Sequence, residues 1–144
     1  MQGDGIGPEI VNSSIDIINL IKNKLNLKID LIYLEIGISS LKSQGTTFPS
    51  SVLEICKKSD GIILGPVDHN NYPNEKEGGL NPSGLLRTNL ELYSNIRPAR
   101  KYPKIKSIID NIDLIIVREN NEGFYADRNM YFGNGEFSPE PGIG

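Results

Sequence analysis

Residues 8–25 carry a helical period, with Ile10, Val11, Ser14, Ile17, Ile18, Ile21 and Leu25 on one stripe. Asn12, Asp16, Asn19, Lys22 and Asn23 face the opposite way. Pro8 suits the first helical position, where its missing N–H costs nothing. The pattern then changes period: Ile29, Leu31, Ile32, Tyr33, Leu34 and Ile36 crowd into residues 28–36, which predicts a largely buried strand ended by Gly37. Residues 39–44 read as a short helical turn closed by Gly45. Ser51 and Glu54 have capping-box spacing at the start of a helix reaching about residue 58. Residues 61–64 read as a second buried strand, and helix and strand alternating at this pitch predict an α/β fold with a mostly parallel sheet flanked by helices.

Residues 65–80 are polar and, at about sixteen residues, exceed the usual connection length, which marks them as a candidate functional loop. Asn81 can cap a following helix with Pro82 at its first position, running to about residue 92. Residues 93–100 and 112–118 read as strands, with Asp110 and Asn111 in the turn before the second. Beyond Arg118 the text is polar, aromatic and glycine-rich and predicts no regular element. There are no repeats and no low-complexity linker.

With 144 residues, 38% of them hydrophobic, the chain has the material for a packed core. A net charge of −3 and a pI near 5.2 argue against a nucleic-acid or anionic-membrane partner, which needs clustered excess Lys and Arg. The arginines are better explained by a small anion. The one cysteine, Cys56, lies in an apolar helical pattern and reads as an inert core thiol, in keeping with a reducing cytoplasm. No apolar run approaches the ~20 residues of a membrane span, and the first residues are Gly-rich and acidic rather than signal-like.

The chemistry concentrates in Asn81-Pro82-Ser83-Gly84-Leu85-Leu86-Arg87 and Asn95-Ile96-Arg97-Pro98-Ala99-Arg100. A guanidinium fork matches a carboxylate two bonds at a time, so Arg87 and Arg97 can hold one di-acid from two sides, with Arg118 as a third candidate. Taken singly, each has a plainer reading: Arg87 as a solvated helix residue paired with Glu91 at i+4, Arg97 or Arg100 as an exposed strand residue. Gly3-Asp4-Gly5-Ile6-Gly7 lacks the spacing of a dinucleotide fingerprint and reads first as a turn and helix cap. Gly65-Pro66-Val67 stands at the carboxyl end of a predicted strand, where open α/β sheets bind ligands, though a plain turn fits too. His69 has no Cys or His at metal spacing and reads as a surface histidine.

Three segments in order carry a resemblance. Gly3-Asp4-Gly5-Ile6-Gly7-Pro8-Glu9, the Leu86-Arg87 and Asn95-Ile96-Arg97-Pro98 segments, and Arg118-Glu119-Asn120-Asn121-Glu122-Gly123-Phe124-Tyr125 resemble the isocitrate, isopropylmalate and tartrate dehydrogenase family of decarboxylating enzymes. The resemblance implies a partial isopropylmalate dehydrogenase-like fold, not a Rossmann fold, with residues 1–98 in a first, cofactor-side domain and 99–144 opening a second, both incomplete. It assigns Arg87, Arg97 and Arg118 to the clamp on the malate moiety, but not Arg100. Tyr125 becomes the residue that helps protonate the enolate carbon; its plainer reading is a half-buried aromatic. Ile6, Gly65, Pro66 and Val67 become cofactor contacts.

Substrate choice in that family lies just before Arg87. Gly84, Ser83 and Leu80 give poor support for an isopropyl pocket, whereas Asn81 and Ser83 are the polar types of isocitrate-using relatives in exchanged order. They suggest a small polar C3 substituent, leaving tartrate, malate and isocitrate-like acids open and 3-isopropylmalate as the alternative. The implied enzyme uses NAD or NADP with Mg2+ or Mn2+ and is a cytoplasmic homodimer when full length. The chain has less than half a typical family length, so the metal-binding aspartates, a partner's lysine and the adenosine loop are expected outside it, and the isolated chain is expected to be inactive. From another class, a non-catalytic subunit or anion-binding module of the same fold would keep the clamp without the chemistry.

Overall fold

The computed structural model describes residues 1–109 and 111–120 in full and the backbone of 130–133 and 136–139. The chain divides into two compact units, Met1–Leu86 and Arg87–Gly144.

The first unit opens with α1 (Gly7–Leu25), which has Pro8 in its first turn and ends on Asn26 in the left-handed region, φ 52. Asn tolerates that conformation, and its backbone N–H bonds Lys22 O, closing the helix. α2 (Gly37–Gln44) ends on Gly45 at φ 76, where a Gly was expected to stop it. α3 (Ser50–Cys56) starts one residue before the expected capping box. Its N-cap is Pro49, no side chain caps it, and Glu54 pairs with Lys57 at 3.0 Å instead. Pro49, with ψ 143, sets the extended entry that a Ser cap would otherwise provide. The long loop that follows contains two 3-10 turns, His69–Asn71 and Glu75–Glu77, and leads into α4 (Pro82–Asn89).

Val11, Ile36, Phe48, Val52, Cys56 and Leu86 form the buried apolar core of this unit. Burial raises the pKa of the Cys56 thiol, against a smaller opposing effect of the chain's amino terminus. The α1 stripe is only partly used. Val11 is buried, but Ile10, Ile17, Ile21 and Leu25 are exposed, because no described element covers them. Ser14 is exposed as well and donates to Ile10 O.

The strands expected over 28–36 and 61–64 do not form as ladders. Residues 27–36 and 61–68 carry no regular structure, and Ile32, Tyr33, Ile62 and Ile63 are exposed. Apolar β-branched text creates a demand for neighbours, and a strand exists only where a neighbour supplies the other half of each hydrogen bond. One trace of pairing remains: Met1 N donates to Ile63 O and Gly65 N to Met1 O, both 3.0 Å, the pattern of a parallel bridge at Leu64.

The second unit contains β1 (Ser94–Arg100) and β2 (Asp113–Glu119), paired antiparallel with Ser94 opposite Glu119 and Arg100 opposite Asp113. β3 (Met130–Gly133) pairs antiparallel with β4 (Glu136–Pro139). Among the described residues both ladders are therefore antiparallel. No helix among the described residues is long and apolar enough to cross a membrane.

Gly78 tests how tightly the long loop is packed. It sits at φ 89, and a Cβ there would lie 2.0 Å from Gly45 O. Gly78→Ala is expected to lower stability by about 1–3 kcal/mol in urea unfolding. Gly61→Ala, where a Cβ meets nothing within 4 Å, should stay within about 0.5 kcal/mol.

Candidate functional site

The Gly-rich turn before α1 is built around Asp4. Its carboxylate does not cap the helix, which has no side-chain cap. Instead Oδ1 accepts from Ile38 N at 2.8 Å, and Oδ2 accepts from Asp68 N at 3.0 Å and from the Tyr72 hydroxyl. Asp4 N donates to Pro66 O at 2.7 Å. Three segments distant in sequence thus meet on one side chain. Gly37, at φ 78, makes this approach possible, since a Cβ there would lie 2.3 Å from Asp4 Oδ1.

Partial burial by itself would raise the Asp4 pKa. The Tyr72 hydroxyl and the Asp68 and Ile38 amides outweigh it and hold the carboxyl below the usual carboxylate range. Tyr72 moves the other way: burial raises its pKa, and its bond to Asp4 and the charges of Asp4 and Asp68 add to the rise. Tyr72 is therefore a fixed donor at neutral pH.

This knot joins the two segments expected to contact a cofactor. Ile6 is 60% exposed at the head of α1, Gly65 is buried, Pro66 exposed and Val67 half-buried. The Asp4–Pro66 bond brings the Ile6 turn and the Gly65-Pro66-Val67 turn side by side. Sequence reading missed Asp4, because two of its three side-chain partners are backbone amides and all lie 34 to 68 residues away.

The arginine clamp candidates lie in the second unit. Asn95 is opposite Arg118 across β1 and β2, and Arg97 stands two positions from Asn95, so Arg97 and Arg118 share one face of the hairpin as diagonal neighbours. Arg97 Nε donates to Asn95 Oδ1 at 3.0 Å, which orients the guanidinium along that face. Arg87 belongs to the same unit. The turn after it is tied to the end of β2: Leu92 N donates to Arg87 O at 3.0 Å, and Asn120 Nδ2 to Leu92 O at 2.8 Å. Asn120 is 8% exposed, so its amide serves as a buried tether two residues past Arg118. Glu91 lies past the helix end, at φ 48, so the helical i+4 spacing to Arg87 does not apply.

Asn81 has the cap role expected of it, accepting from Gly84 N through Oδ1 at 3.2 Å. Ser83 is exposed in the first turn of α4. Arg100 forms an exposed ion pair with Asp113 at 2.8 Å. His69 is exposed. Tyr125 lies outside the described residues. Among the described residues no three His, Cys, Asp or Glu side chains are grouped to hold a metal ion, so none is assigned to one.

The depressed Asp4 carboxyl stabilises the fold in full above the unfolded value of about 3.9. That contribution is lost as pH falls through the lower folded value. Asp4→Asn turns one acceptor into a donor facing an amide. It should cost at least ~1 kcal/mol at neutral pH, a figure already lowered for partial exposure. The variant should also lack the wild-type loss below about pH 4, as read from urea midpoints between pH 7 and pH 2.5.

The family model for isocitrate/isopropylmalate dehydrogenase matches residues 1–137. The 3-isopropylmalate dehydrogenase of Saccharolobus solfataricus is 41% identical over 123 residues, 85% of this chain and 34% of that protein. The Staphylococcus aureus enzyme of the same name is 36% identical over 94% of this chain and 41% of its own length. Among solved structures, isocitrate dehydrogenase from Methylococcus capsulatus superposes with a TM-score of 0.66 at 27% identity, covering 87% of this chain and 34% of that one. The chain spans about a third to two fifths of the length of these relatives. With its α/β elements and its matching segments running from the Asp4 turn to the Arg118 strand, the chain belongs to the isocitrate/isopropylmalate dehydrogenase family.

Proposed function

We propose that this chain is the N-terminal part of a metal-dependent NAD(P) oxidoreductase that oxidatively decarboxylates a small 2-hydroxy acid bearing a 3-carboxylate. The observation that carries the proposal is the shared face of Arg97 and Arg118, in the unit that also contains Arg87. In this reading the chain opens a cofactor-side domain with a non-Rossmann sheet and then begins a second domain. The whole protein is a cytoplasmic homodimer.

Arg87, Arg97 and Arg118 bind and orient the acid's carboxylates. Their fixed positive charge lies where negative charge grows as carbon dioxide departs. Ile6, Pro66 and Val67 line the nicotinamide side, and the Asp4 knot fixes their turns against each other. A nicotinamide held beside the Ile6 and Pro66 turns would supply the hydride acceptor for the hydroxyl-bearing carbon. Loss of the adjacent carboxylate then leaves an enolate, whose carbon takes a proton with the help of Tyr125. No step is assigned to a metal through these residues. Asn81 and Ser83 favour a small polar C3 substituent, as in tartrate, malate or isocitrate. The names of the S. solfataricus and S. aureus relatives favour 3-isopropylmalate as the second reading.

The test uses the product of the whole reading frame with Mn2+, NAD or NADP, and each acid. Cofactor reduction with stoichiometric release of carbon dioxide is expected for at least one acid. Acid binding without turnover would instead identify a non-catalytic anion-binding subunit. Arg118→Ala should weaken acid binding by ~1.5–3 kcal/mol, about ten- to a hundredfold, and leave NAD(P) affinity unchanged. Residues 1–144 alone should show no turnover.

A further inference from the structure

Thr47 is fully buried, and each of its polar groups is spoken for. Its N–H donates to Gly78 O at 2.9 Å, and its carbonyl accepts from Gly37 N at 2.8 Å. The hydroxyl accepts from Leu80 N at 2.8 Å and donates to Leu80 O at 2.6 Å, the nearer of two carbonyls in its reach. One side chain therefore takes up both backbone groups of Leu80, as a neighbouring strand would.

The loop has little room to settle elsewhere. A Cβ on Gly78 would lie 2.0 Å from Gly45 O, and one on Gly79 would lie 1.7 Å from Pro73 O. Immediately after Leu80, Asn81 caps α4 and Pro82 is fully buried, so the position of Leu80 sets how Asn81 and Ser83 are presented. A hydroxyl held at hydrogen-bond distance by both backbone groups of Leu80 constrains that position. Without the hydroxyl, Leu80 O would lose this donor and Leu80 N would keep only its bond to Gly78 O at 3.1 Å.

We propose that Thr47 is a specificity-positioning residue, whose hydroxyl pins Leu80 and thereby sets the distance between Asn81 and Ser83 and the C3 substituent of the bound acid. The inference rests on the reading above that these two residues face the substrate. Thr47 itself touches neither acid nor cofactor in this scheme.

Thr47→Val and Thr47→Ser in the product of the whole reading frame test it. Two quantities are read: amide hydrogen exchange at Leu80, and dissociation constants for malate, tartrate, 3-isopropylmalate and NAD(P). Thr47→Val is expected to speed Leu80 exchange at least tenfold and to change the ratio of affinities between two of the acids at least about fivefold. NAD(P) affinity should stay within about twofold, and Thr47→Ser, which keeps the hydroxyl, should restore wild-type behaviour. A uniform loss of affinity for all ligands, or an unchanged acid ratio, would overturn the inference and leave Thr47 a stability residue. A wild-type protein that binds none of the acids would overturn the underlying functional reading instead, a different result from a wild type that binds and a variant that does not discriminate. Should Thr47→Val fail to fold, Thr47→Ala against Thr47→Ser isolates the same hydroxyl in a smaller side chain, and equal acid ratios in that pair would also overturn the inference.

Discussion

The first unit depends on a carboxylate that has more acceptor capacity than its own turn can use. Asp4 receives two backbone amides and a phenol from two segments, at Ile38 and at 68–72, that lie far from it in sequence. Charge-assisted bonds of this kind are stronger than neutral ones and favour the ionised form. They also impose a condition on a fourth residue, because only glycine at position 37 leaves room for the carboxylate. From Gly37 the bonding continues: its N–H reaches Thr47, and Thr47 reaches Gly78 and Leu80. The Asp4 turn, the Pro66 turn and the start of α4 are thus connected through a chain of hydrogen bonds.

That division suits a unit whose core is small. Apart from Pro49 and Pro82, six apolar side chains are buried, while much of the apolar text of α1 and of the segments at 28–36 and 61–64 is exposed. In the second unit β1 and β2 carry Ile96, Ile115, Ile116 and Val117 in the open on both faces of the hairpin. Apolar sheet faces require covering layers in a finished domain, and the described residues of this chain contain none for these.

Helices were legible because their signals are local. Pro8, Gly45 and the Asn81-Pro82 pair mark starts and a stop, and the structure uses all of them. The capping box at Ser51 failed on an equally local competitor, since Pro49 starts the helix earlier. The segments at 28–36 and 61–64 failed for a different reason: a strand is a relation between two segments, and β-propensity describes only one.

For the candidate site, the sequence by itself determined which residue types were present in matching order: Arg87, Arg97 and Arg118, the Gly-rich turn and the polar pair before Arg87. A guanidinium has the same binding chemistry wherever it stands, so its identity can be read from a string of letters. The tertiary structure decided that Arg97 and Arg118 share a face, through the register that sets Asn95 against Arg118. It also decided that Asp4 and Thr47 hold the loops. Their partners are backbone groups, present at nearly every position and therefore invisible in side-chain text, and only folding selects which of them comes within 3 Å.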